Sequence, residues 1–209
     1  MRLPAAPVSL TPVILTLNFS TVSGNTAHYE GGGISNYGIL TLDSSTVSGN
    51  TAYYDGLEYG IGGGISNKRA INSTSHASLT LIRSTVSGNT ATAGAGIASS
   101  DCGSTATLTN STVSGNTANF GGGILVSCNT DTLTLDGSTV SGNLANLGGG
   151  GIASGGTLIL TNSTLGGNTA GDNLGTVTLT NSTVEGNSAQ SQGGGINNRA
   201  IRRAPVVAA

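Results

Sequence analysis

Seven times the chain writes nearly the same six residues, Ser-Thr-Val-Ser-Gly-Asn or a close variant. The copies start at Ser20, Ser45, Ser84, Ser111, Ser138, Ser163 and Ser182. They close on Asn25, Asn50, Asn89, Asn116, Asn143, Asn168 and Asn187, at steps of 25, 39, 27, 27, 25 and 19 residues. A period in the twenties is the signature of a solenoid, in which each repeat buries its apolar face only against its neighbours.

Each copy belongs to a longer unit. A Leu-Thr-Leu-like triplet precedes it, at 15–17, 40–42, 79–81, 133–135, 158–160 and 177–179, with Ala106-Thr107-Leu108 the weakest version. Alternation with period two turns the leucines to one side and the threonines to the other. Ser-Thr-Val reads as a second short strand, Thr outward and Val inward. Gly-Gly-Gly-Ile follows at 31–34, 62–65, 121–124, 149–152 and 193–196, with Gly94-Ala95-Gly96-Ile97 as a variant. No segment has the 3.6-residue periodicity a helix needs. Three short strands per turn predict an all-β, parallel β-helix of about seven to eight coils, roughly 35–40 Å long at the spacing of neighbouring strands. Right-handed winding is expected, because β crossovers prefer that hand. The β-helix is expected over 15–198, flanked by irregular segments at 1–14 and 199–209.

The motif residues have mechanical roles. Inward Leu, Val and Ile stack on their equivalents in adjacent coils. The Ser-Gly-Asn corner suits a left-handed bend, and the seven asparagines can bond to one another in a ladder along the stack. The glycine triplets let backbones approach closely. They lack the Gly-Lys-Ser/Thr ending of a phosphate loop and recur once per coil, which marks them as structural.

Charged residues are 8% of the chain and the formal net charge is −2, so the electrostatic footprint of a nucleic-acid binder is missing. No apolar stretch approaches the length of a membrane-spanning helix. The N-terminal stretch, with Pro4, Pro7 and Pro12, is a poor signal peptide. Neither end reads as a designed cap. That suggests a fragment of a longer repeat protein or, as the alternative, end-to-end self-association. Cys102 and Cys128 are one repeat apart and fall on adjacent coils at similar azimuth. They are either a disulfide, which would fit an exported protein, or a pair of stacked thiols.

Gly-Gly-Gly-Ile together with Val-x-x-Asn resembles the paired GGA[ILV] and FxxN repeats of the chlamydial polymorphic outer-membrane proteins, with Gly for Ala and Val for Phe. Over residues 15–197 the chain also resembles the Thr/Asn/Gly-rich repeat proteins of free-living bacteria described as right-handed, pectin-lyase-like β-helices. The resemblance implies secretion, display at the cell surface and adhesion.

Candidate binding residues lie where the rhythm breaks. His28-Tyr29-Glu30 fills the corner before the first glycine triplet, and Tyr53-Tyr54-Asp55-Gly56-Leu57-Glu58-Tyr59 extends the next. With Tyr37 these corners hold all five tyrosines. Tyr29, Glu30, Tyr53, Tyr54, Asp55, Glu58 and Tyr59 are therefore the candidate ligand residues, since tyrosines beside carboxylates can stack on and hydrogen-bond a sugar. A second insertion, Lys68 to Ala77, carries Lys68, Arg69 and His76.

Catalysis is not expected. The nine carboxylates are mostly isolated, and Asp43 and Asp136 are several coils apart, whereas glycosidase pairs sit within roughly 10 Å. Neither the two histidines nor the two cysteines have metal-ligand spacing, so no metal or cofactor is expected. The outward columns Thr21, Thr46, Thr85, Thr112, Thr139, Thr164, Thr183 and Thr16, Thr41, Thr80, Thr107, Thr134, Thr178 make ice binding a minor alternative. The leading expectation is a non-enzymatic extracellular or cell-surface structural or adhesin-like protein, with cell-surface glycans or matrix proteins as partners. A carbohydrate-binding or polysaccharide-degrading role for the tyrosine corner is the runner-up.

Overall fold

The computed structural model describes residues 13–53, 59–70, 75–169 and 176–188, and for 176–180 the backbone alone. It is a parallel β-solenoid without helices among these residues. One coil shows the plan. Ile39–Asp43 lies in the first sheet, Thr46–Ser48 in the second, Thr51–Ala52 in the third and Ile65–Lys68 in the fourth. Each strand pairs in parallel with its equivalent one repeat away, in the register the motif alignment predicts. Leu42 pairs with Leu17 and Leu81, and Val86 with Val47 and Val113.

Two expectations need correction. Each repeat supplies four strands, not three: the Thr-Ala after the ladder asparagine is a strand of its own, with Ala52, Ala91, Ala118 and Ala145 turned inward and buried. A two-residue strand is too short to show alternation in a sequence. The number of turns is also smaller than seven to eight. The first and second sheets have seven strands, but the third and fourth have five, so about five turns are complete among the described residues. Between Asn168 and Asn187 the sequence holds no Gly-Gly-Gly-Ile to supply a fourth-sheet strand, and the copy at 193–196 lies outside the described residues.

The core is a set of columns. Leu42, Leu81, Leu108, Leu135 and Leu160 form one. Val47, Val86, Val113, Val140 and Leu165 form another, and Ile65, Ile97, Ile124 and Ile152 a third; all are inaccessible to solvent. These columns are joined by polar ladders. Each interior ladder asparagine accepts two bonds at Oδ1 from its predecessor, one from the backbone N–H and one from Nδ2. Asn89 donates both to Asn116 Oδ1, at 2.9 and 3.0 Å. Its Nδ2 also donates to Val47 O at 3.1 Å. The pattern runs unbroken from Asn25 to Asn187. A hydrogen-bonded ladder satisfies every buried amide it contains, which a buried polar column must do.

The serine opening each hexapeptide forms a second ladder. Ser84 Oγ donates to Ile82 O at 2.8 Å and accepts the Ser45 N–H at 3.1 Å. The same acceptance recurs from Ser20 to Ser182. The residue before it is left-handed in every repeat: Phe19, Ser44, Arg83, Asn110, Asn162 and Asn181 at φ 47–51°, and Gly137 at 57°. Thr16 and Thr21 head outward columns on different sheets, the first interrupted by Ile159.

Candidate functional site

The first two coils depart from this uniformity where the third sheet runs into the fourth. Beyond strand Thr26–Ala27 the chain passes through His28, Tyr29 and Glu30 into the glycine triplet. Tyr53 follows strand Thr51–Ala52 one coil on, and its N–H donates to Ala27 O at 3.1 Å. That register stacks Tyr53 on His28, with ring centroids 4.5 Å apart and a 2.6 Å hydrogen bond between the Tyr53 hydroxyl and His28 Nε2.

Across the triplet lies a second cluster. Strands Ile34–Asn36 and Ile65–Lys68 pair so that Asn36 opposes Asn67, which places Tyr37 beside Lys68. The Tyr37 hydroxyl donates to Glu30 Oε1, and Lys68 Nζ pairs with Glu30 Oε2 at 2.5 Å while lying 5.7 Å from the Tyr37 ring centroid. The last distance is within cation–π range. The strand ends carrying these side chains are pinned from inside. Asn36 Nδ2 donates to Asn67 Oδ1 at 2.7 Å, and Asn67 Nδ2 donates to Thr105 O at 3.0 Å and to Ser99 Oγ at 3.4 Å.

Of the residues expected to bind a ligand, Glu30 is thus drawn into a triad with Tyr37 and Lys68, and Tyr53 into a pair with His28. Tyr29 and Tyr59 are exposed on the same edge. Tyr54, Asp55 and Glu58 lie outside the described residues. His28, Tyr37 and Lys68 were not among the expected ligand residues. Alignment on the glycine triplet carries the missing signal, because Tyr37 and Lys68 each stand four residues after its last glycine and so must stack.

The electrostatics are those of a settled cluster. Burial and the bond to the Glu30 carboxylate push the Tyr37 hydroxyl above its ordinary value. Burial acts to lower Lys68, but the hydrogen bond and charge of Glu30, with contributions from Tyr37 and Asp101, outweigh it and hold the ammonium above its ordinary value. Lys68 is therefore a fixed cation and a poor general base. Asp43 and Asp136 occupy one column three strand steps apart, roughly 14 Å at strand spacing and beyond the reach of a glycosidase pair. Asp43 is held by Arg83 Nη2 at 2.6 and 2.8 Å.

One coil beyond Lys68, Cys102 and Cys128 are joined in a disulfide, Cα atoms 5.0 Å apart. Cys102 stands five residues after Ile97 and Cys128 only four after Ile124, and the chain absorbs the extra residue with three consecutive left-handed residues. Asp101, Cys102 and Gly103 have φ of 70°, 52° and 95°.

Asp131 lies buried beneath these loops. Its Oδ1 accepts the Ser104 N–H at 2.9 Å, and its Oδ2 is buried without a partner. Burial holds the carboxyl above its ordinary value, against the opposing backbone N–H groups of Ser104, Cys128 and Gly103. The folded state thus keeps this proton to higher pH than the unfolded chain does. Its contribution to stability is complete below the unfolded pKa and is lost as pH rises through the folded one. Asp131→Asn should flatten that segment of a melting-temperature-versus-pH curve, and an unchanged slope would exclude Asp131 as its source.

A directional feature emerges from the exposed side chains. Outside the first-coil residues Val13, Ile14, Leu15 and Phe19, the exposed large apolar and aromatic side chains among the described residues, Tyr37 apart, flank the third sheet. They are Tyr29, Tyr53, Tyr59, Phe120, Leu144 and Leu147, with Tyr37 just across the triplet. No helix among the described residues is long and apolar enough to cross a membrane. No known family, curated protein or solved structure matches the chain.

Proposed function

We propose that the chain is a non-enzymatic, exported structural or adhesin-like β-solenoid that binds through its third-sheet edge, with carbohydrate as the ligand of the tyrosine corner. The observation that carries this reading is that, beyond the first-coil residues Val13, Ile14, Leu15 and Phe19, the exposed aromatic and apolar side chains among the described residues gather beside the third sheet and the glycine triplet that follows it. Exposed patches of that kind mark interaction surfaces. Tyrosine offers a ring face and a hydroxyl together, and Glu30, Lys68 and His28 place hydrogen-bonding groups beside the rings. A disulfide between coils suits an oxidising, extracellular setting.

The test is binding of the intact protein to a glycan array and to immobilised matrix proteins, against a Tyr29→Ser, Tyr53→Ser, Tyr59→Ser variant whose strand signal by circular dichroism is unchanged. The variant should bind a glycan at least about tenfold more weakly, the ratio that ~1.4 kcal/mol confers. A parent protein that binds no glycan overturns the carbohydrate reading, and binding unaffected by the triple change moves the ligand elsewhere on the rod.

A further inference from the structure

We propose that the Cys102–Cys128 disulfide is a redox latch on the candidate site, holding Asp101 against the Glu30–Tyr37–Lys68 triad and releasing it on reduction. The proposal rests on that corner being the binding site. Strand Ile97–Ser100 pairs with Ile65–Lys68 so that Ser100 opposes Lys68, and Asp101 follows at once. Lys68 is therefore flanked by Tyr37 on one coil and by the start of the disulfide loop on the other. The Asp101 carboxylate follows the residue paired with Lys68, and its charge adds, behind Glu30 and Tyr37, to what holds the Lys68 ammonium above its ordinary value.

The loop is suited to release. Asp101 and Cys102 are exposed and Cys128 is half-buried, so a reductant can reach the sulfurs. Asp101 and Cys102 both hold left-handed backbone conformations, which Asp visits occasionally and Cys rarely, and the cross-link to the next coil restrains Cys102 there. The ladders that build the rod do not pass through either cysteine. In the reductive step a dithiol gives two electrons and two protons to the Sγ atoms. The Cys102–Cys128 bond breaks to two thiols, and the reductant's own sulfurs join as a disulfide. The chain from Asp101 to Gly103 is then free to leave the left-handed region, taking the Asp101 charge away from Lys68.

Lys68 is the sole lysine in the sequence, which makes the test direct. Acetylation of its amine is followed by mass spectrometry in the oxidised protein, in the protein treated with a dithiol, and in a Cys102→Ser, Cys128→Ser variant. The reduced protein and the variant should both label Lys68 severalfold faster than the oxidised protein while keeping the strand signal in circular dichroism. Asp101→Asn should label fast without reduction and gain nothing further from it. Equal labelling in oxidised and reduced protein overturns the latch. Loss of the strand signal on reduction also overturns it, since the bond would then be structural. None of these readouts needs a ligand. If labelling responds but no glycan binds, the latch stands and the carbohydrate reading falls. If a glycan binds but labelling does not respond, the reverse holds.

Discussion

Asn116→Leu should lower the free energy of unfolding by about 3–5 kcal/mol, the sum of an orphaned backbone donor, a lost side-chain donor and a misfitted side chain. Asn116 is inaccessible to solvent at the centre of the stack. Its Oδ1 is the acceptor for the Asn89 backbone N–H, and its Nδ2 donates to Val86 O at 3.1 Å and to Asn143 Oδ1 at 2.9 Å. Leucine has similar bulk but none of these atoms. It strands the Asn89 N–H and removes a donor from Val86 O, and it must fit where Gly96 already comes so close that an added methyl would lie 3.0 Å from Asn116 Nδ2. A loss of that size is a large part of the total stability of a typical domain.

Asn116→Asp separates the ladder from mere filling. The carboxylate still accepts from Asn89 but cannot donate to Val86 O, and burial opposes its charge. The folded-state pKa of such a group is raised, so its stability is greatest at acid pH and falls as pH rises through that pKa. Denaturant melts of the three proteins at acid and neutral pH give the comparison. If leucine melts with the parent, the asparagine column does not hold the coils together.

How far the sequence discloses this molecule depends on how local each signal is. The leucine, valine and isoleucine columns are legible because alternation over five residues declares which side faces inward. The asparagine ladder is legible because seven copies at one position leave a polar residue no other common role. The serine ladder is equally repetitive, yet serine is such an ordinary residue in a strand that its inward turn is invisible until Ser84 is seen accepting from Ser45. The four-strand coil is hidden because Thr51-Ala52 is too short to alternate.

The candidate site is legible as a place and not as a set of partners. Insertions and tyrosines point to the corner before the triplet, but the triad joins Glu30 on one side of the glycines to Tyr37 and Lys68 on the other. The glycine turn within one coil brings Tyr37 to Glu30, and the coil-to-coil register adds Lys68. The same holds for the latch. The spacing of Cys102 and Cys128 allows a bridge, but that the bridge borders Lys68 follows from the pairing of Ser100 with Lys68.

Gly123→Ala should destabilise the rod by about 3 kcal/mol or more, as overpacking between rigid backbones does, while Gly115→Ala should cost only about 1–2 kcal/mol. The two glycines are eight residues apart and serve different physical needs. A methyl at Gly123 would lie 2.5 Å from Gly151 O and 2.9 Å from Asn143 Nδ2, so it meets the backbone of the next coil and a ladder amide. Neither yields cheaply, because Gly151 O is bonded to the Ile124 N–H at 2.9 Å and Asn143 is fixed by its own ladder bonds. The coils must move apart locally, and the cross-coil bonds of the triplet lengthen with them. Gly115 has φ of +63° and no atom nearer than 4.0 Å to an added methyl. There alanine meets open space and pays only for a left-handed backbone, which Asn110 and Arg83 already tolerate elsewhere in the same stack. Denaturant midpoints of the two variants, with unchanged m-values, test the ranking. Equal losses would mean that backbone conformation alone explains the glycines and that close approach between coils at the triplet does not.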